Sequence, residues 1–290
     1  MKATKKLIGA VVALVAALAV SVGATFAWFT SQNTAKVNKF DLTVQDATGN
    51  LYIGLSEETV SQAPVTIDTS TGAYENLKLT HVTSDDGITL NTKEGPAATA
   101  NKDYFQVKLW FMSTTDVKVY LEDTSDLTCT SPNADNDLLL DGTARTTAGA
   151  NYGPTLASDG KITTNAANAA RVSFVDSATG KIWEPQPTAG YPTKNLAEDY
   201  EKYLTSGTWS VTESPTNTPA TATVEKVAKT TTSEDAAEKV ELFSLTANEA
   251  KEITINIWLE GKDGDCLNSI FADVISTTLV FVGIEAAAAD

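Results

Sequence analysis

Ile253-Thr254-Ile255-Asn256-Ile257-Trp258-Leu259-Glu260 is the stretch that settles the fold class. Its large aliphatic residues recur at every second position, so Ile253, Ile255, Ile257 and Leu259 share one face of an extended chain. A strand rich in β-branched residues with one buried side follows from that pattern. The polar loop Gly261 to Asp265 comes next, and Asp273 to Ile284 then supplies a longer run. Its continuous end, Leu279 to Ile284, predicts burial on both faces. Further upstream, Phe105, Val107, Leu109 and Phe111 alternate with Gln106 and Lys108. Beyond a short polar turn, Val117, Val119 and Leu121 alternate with Lys118 and Glu122, and the two runs together predict a hairpin.

Shorter strands are expected at 40–44, 51–55, 65–68, 77–82, 171–175, 181–183 and 240–245, separated by Gly, Asp, Asn, Ser and Thr clusters. Many short strands with such turns favour one all-β domain over residues 28–290, a jelly-roll-like antiparallel β-sandwich. One short helix is expected from Asn195, a cap with Glu198 three residues on, followed by Leu196, Tyr200, Tyr203 and Leu204 on one face. Residues 131–170 and 195–238 read as loops or inserts, since most of both is polar and short of large apolar groups. No fixed-period repeat is present.

The N-terminus predicts export. Lys2, Lys5 and Lys6 precede an uncharged run from Leu7 to Phe29, and small Thr25 and Ala27 stand at −3 and −1 of a signal-peptidase site. Cleavage after Ala27 removes residues 1–27 and leaves Trp28 first, so the membrane is met only in transit. The competing reading is an uncleaved anchor, because the run is long enough to span a bilayer. Loss of the three lysines leaves 18 basic residues of the original 21 against 37 acidic ones, a net charge of −19. Nucleic acid is excluded as a partner by that balance. Cys129 and Cys266 can form one disulfide, worth about 4–5 kcal/mol by loop entropy, or stay as two small hydrophobes.

Catalytic chemistry is sparse. His81 is the single histidine, which rules out two-histidine zinc motifs, and no Gly-x-Ser-x-Gly elbow is present. Carboxylates abound, yet no spacing marks a glycosidase pair. Glu260, Asp263 and Asp265 around Gly261 and Gly264, and Asp135-Asn136-Asp137 before Asp141-Gly142, offer oxygen ligands without EF-hand spacing and read as solvated turns. No metal, cofactor or catalytic residue is therefore expected. Trp110, Trp183, Trp209 and Trp258 form either a sugar platform or packing against a neighbouring layer or subunit, with Trp110 and Trp258 on outward faces.

Two segments carry a resemblance. Val22-Gly23-Ala24-Thr25-Phe26-Ala27-Trp28-Phe29-Thr30 resembles the signal-peptide junction of the TasA/camelysin family, whose precursors are cut by a dedicated SipW-type signal peptidase. Ile257 to Cys266 resembles a Trp-Leu-Glu-Gly segment, followed by Asp and Cys, of exported Firmicutes proteins with this signal type, and the strands from Tyr104 to Glu122 are similar to the same group. The resemblance leaves 131–250 uncovered. It implies a secreted jelly-roll subunit that self-assembles into biofilm-matrix or cell-surface fibres when its N-terminal segment joins a neighbour's sheet. Carried onto this chain, the donor segment is Trp28 to Phe40, with Trp28, Phe29, Val37 and Phe40 as apolar anchors. Camelysin-like members have been classed as metallopeptidases, but this chain has no His-Glu-x-x-His, so that activity is not carried over. The sequence thus leads to a fibre subunit first, a monomeric surface adhesin or carbohydrate-binding module second, and a hydrolase built on scattered carboxylates third.

Overall fold

A computed structural model of the chain describes residues 35–46, 51–69, 74, 77–92, 95–130, 138–139, 155–156, 161–163, 166–185, 224–228, 236–261, 266 and 273–285. The strands, in chain order, are β1 (Ala35–Asp46), β2 (Leu51–Gly54), β3 (Val65–Asp68), β4 (Lys78–Leu79), β5 (His81–Thr83) and β6 (Asn91–Thr92). Then come β7 (Phe105–Ser113), β8 (Val117–Leu121), β9 (Asp126–Thr130), β10 (Leu138–Leu139), β11 (Thr155–Leu156) and β12 (Lys161–Thr163). The last described strands are β13 (Ala170–Asp176), β14 (Thr179–Trp183), β15 (Phe243–Leu245), β16 (Lys251–Glu260) and β17 (Val274–Glu285), and the short α-helix α1 (Ala166–Ala169) precedes β13.

The molecule is an all-β sandwich. In the first sheet β17 is the hub: one edge pairs in parallel with β1 and the other pairs antiparallel with β8 and β9. Beyond β1 lie β3 and β4, and beyond β8 lies β15. In the second sheet β16 is the hub, flanked by β13 on one edge and by β7 and then β5 on the other. β14, β2 and β6 pair outside β13, β7 and β5. Most pairs are antiparallel, while β1 with β17 and β5 with β16 are parallel. A small separate sheet has the order β10, β12, β11.

The period-two pattern explains the layers. Ile253, Ile255, Ile257 and Leu259 of β16, with Phe105, Val107, Leu109 and Phe111 of β7, turn inward and are buried. They meet Phe40 and Leu42 of β1 and Ile275, Leu279 and Phe281 of β17, all wholly buried. Aromatic contacts join the sheets: Phe40 lies 5.1 Å from Phe105, and Phe281 meets Phe111 edge-on at 5.0 Å and Phe174 at 6.0 Å. Each such side chain stabilises the fold by about 1.5–3 kcal/mol through burial.

Several expectations need correction. β7 and β8 are not a hairpin; β7 belongs to the second sheet and β8 to the first, so residues 114–116 cross between layers. Alternation alone is the same for both arrangements, because each strand still turns its apolar face to one shared core. Insert boundaries also shift: Ala166, Ala167 and Ala169 of α1 lie in the core, where small side chains permit close approach. Val224, Val227 and Ala236 are buried too, the last two against Tyr120 and Val282 on the outer face of the first sheet. That cover accounts for the second buried face of 279–284. The helix expected from Asn195 to Leu204 lies outside the described residues, as do Trp28 and Phe29.

Candidate functional site

The expected donor segment is the first feature to place. Val37 and Phe40 belong to β1, a strand held on both sides, with Phe40 opposite Thr277 of β17 and Ile67 of β3. Phe40 is wholly buried between the sheets. It is therefore part of the chain's own core, and offering it to a neighbour would leave a cavity and two broken ladders. This corrects the anchor set: of the segment 28–40, only the residues before Ala35 lie outside the chain's own described sheet. At the far side of β1, β3 ends the sheet, and among the described residues it has a strand partner on one edge only. Its Thr66 is exposed and donates to the Asp41 carboxylate at 2.9 Å, so this margin is polar on its outer face.

A second constellation lies on the outer face of the second sheet. Gln106 donates to Asn256 at 2.8 Å, Asn256 donates to Ser173 at 3.0 Å, and Ser173 and Asn256 both donate to the Gly87 carbonyl. Trp258 Nε1 donates to Glu260 at 3.1 Å, and the Ser84 amide reaches the same oxygen at 3.3 Å. The segment 84–104 covers this row, and Val82, Leu90 and Tyr104 pack on Trp258. Two glycines permit the close seat. Gly87 has φ +68°, and a Cβ on Gly180 would stand 2.1 Å from the Asp86 carbonyl oxygen. Asp86 orders the turn by accepting from the Ile88 and Thr89 amides at 2.8 and 2.6 Å. Burial opposes its ionisation, but the Thr89 and Ile88 amides with the Thr89 and Ser84 hydroxyls outweigh that and hold its carboxyl below the ordinary value.

These contacts reassign several sequence candidates. Glu260 accepts from the Trp258 indole and the Ser84 amide, while Asp263 and Asp265, like Asp135, Asn136, Asp137 and Asp141, lie outside the described residues. Among the described residues no group of three or more His, Cys, Asp or Glu side chains is gathered as a metal site. Trp258 and Trp183 are buried and Trp110 half-buried, so Trp110 alone of these presents surface; Trp209 lies outside the described residues. His81 sits at the end of the second sheet, opposite Leu259.

Cys129 and Cys266 are both thiols, with no disulfide between them. Burial, reinforced by the Asp273 carboxylate, pushes the Cys129 thiol up to about 11, so it stays protonated at neutral pH.

A buried ion pair escaped the sequence reading. Arg171 and Glu184 meet at 2.8 Å with 7% and 6% of their side chains exposed. They stand one step beyond the β13–β14 ladder, and Arg171 also donates to the Ala170 carbonyl at 2.9 Å. An arginine inside the apolar run Ala170 to Val175 was the available signal. Lys181 links the layers by donating to the carbonyls of Glu241 and Leu242, the latter at 3.0 Å, just before β15.

No family model, curated protein or solved structure matches the chain. Among the described residues no helix is long and apolar enough to cross a membrane.

Proposed function

We propose that the chain is an exported structural subunit of a matrix or surface fibre, freed by a SipW-type signal peptidase and assembled through the segment ahead of β1. The observation that carries this reading is the position of β1. In the sequence, apolar Trp28 and Phe29 precede β1, a strand of the first sheet, whose margin at β3 pairs on one side only among the described residues. A strand added to an open margin gains main-chain hydrogen bonds and pockets for alternate side chains. Because donor and acceptor are different surfaces of one subunit, the addition is head-to-tail, and it builds a filament where the rotation between copies does not close a ring. Residues 28–34 are the donor in this reading, and β1 stays at home.

Electron microscopy of the purified secreted chain, with N-terminal sequencing, tests the reading. Fibres from material beginning at Trp28 are expected; a chain that stays monomeric under all conditions overturns it. Deleting residues 28–34 is expected to abolish fibres and leave the thermal midpoint unchanged, whereas deleting 28–40 also removes Phe40 and unfolds the subunit. Fibres formed equally well by the 28–34 deletion would remove the donor role.

A further inference from the structure

The two hubs of the sandwich are the last two of its described strands. β16 holds β13, β7 and β5 together, and β17 holds β1, β8 and β9. Remove both, and the remaining pairings of the two sheets are β1 with β3 and β4, β8 with β15, β13 with β14, β2 with β7, and β5 with β6. Each of those is a narrow ribbon, of a kind that is marginal in water without a third strand and an apolar face to pack on. The core repeats the message. Phe111 and Phe174 of the second sheet rest on Phe281, so part of the aromatic packing between the layers also awaits β17.

We propose that this topology makes folding wait for β17: a chain emerging N-terminus first stays unfolded until β17 is out, and then closes both sheets in one event. Nearly all the pairings of β16 and β17 span large sequence separations, so loop-closure entropy delays them in any case. For an exported protein the gain is direct, since a channel that passes extended chains meets no folded obstacle before β17 arrives. This inference rests on the export reading for its purpose, but its mechanism is independent of fibre assembly.

Stalled nascent chains of the full sequence, carrying C-terminal linkers of increasing length, test the proposal by limited proteolysis. Protection of the 35–261 region is expected to begin only at the linker length that frees residue 285. Protection already present when residue 250, or residue 261, has emerged with β17 still enclosed would overturn it. Fibre tests on the released protein report on the other reading separately, because they start from folded subunits.

Discussion

Arg171 and Glu184 show how a charged pair survives in an apolar hairpin. Taking both ions out of water costs several kcal/mol each, and the 2.8 Å contact plus the Ala170 carbonyl offsets that only while both partners are present. Glu184→Gln is expected to destabilise the fold by about 3 kcal/mol in urea unfolding, because it strands the guanidinium. Replacing both residues by apolar ones is expected to cost far less. Asp86 gives the pH counterpart. Its carboxyl is held below the ordinary value in the folded state, so its contribution is complete above the ordinary carboxylate range. The contribution is lost as pH falls through the depressed folded value. A smaller protection factor for the Ile88 and Thr89 amides in acid than at pH 7, after the intrinsic pH dependence of exchange is divided out, is the expected signature.

At the scale of elements, the seat of the segment 84–104 depends on what is missing from Gly180. An added methyl there meets backbone at 2.1 Å, so Gly180→Ala must push the segment off the Ser173–Asn256 row. Such overpacking is expected to cost about 1–3 kcal/mol in the urea midpoint. Trp258 fluorescence is expected to shift to the red as its cover lifts. Strands were the legible part of this architecture. Val65–Asp68 is found where it was expected, and 253–260 and 273–284 differ from β16 and β17 by a residue or two, since alternation writes burial directly into the sequence. Which sheet each strand joins was not legible, as the β7 to β8 crossing shows. β9 went unread because Leu127 is its one large apolar side chain, and the cover at 224–228 because Val224 and Val227 stand among Thr, Lys and Glu. The Arg171–Glu184 pair needed the hairpin register, which composition does not contain.

For the whole molecule, charge sets how copies meet. In the proposed mature subunit, with 37 acids against 18 bases, like-charged copies repel, and salt shortens the reach of that repulsion from about 30 Å at 0.01 M to about 8 Å at 0.15 M. Fibre growth followed by light scattering is therefore expected to start sooner as salt is raised across that range. Growth slowed by salt would mean that attraction between opposite charges drives the contact instead.

The parallel pairing of β1 with β17 gives the subunit a polarity. Two twelve-residue strands run side by side in one direction, and at about 3.3 Å per residue they separate Ala35 from Glu285 by roughly 40 Å. β1 thus begins at one pole and β17 finishes at the other. A reporter grafted after Glu285 would decorate the pole remote from Ala35, and in the proposed fibre a row of such beads threaded in one sense would display it at every step.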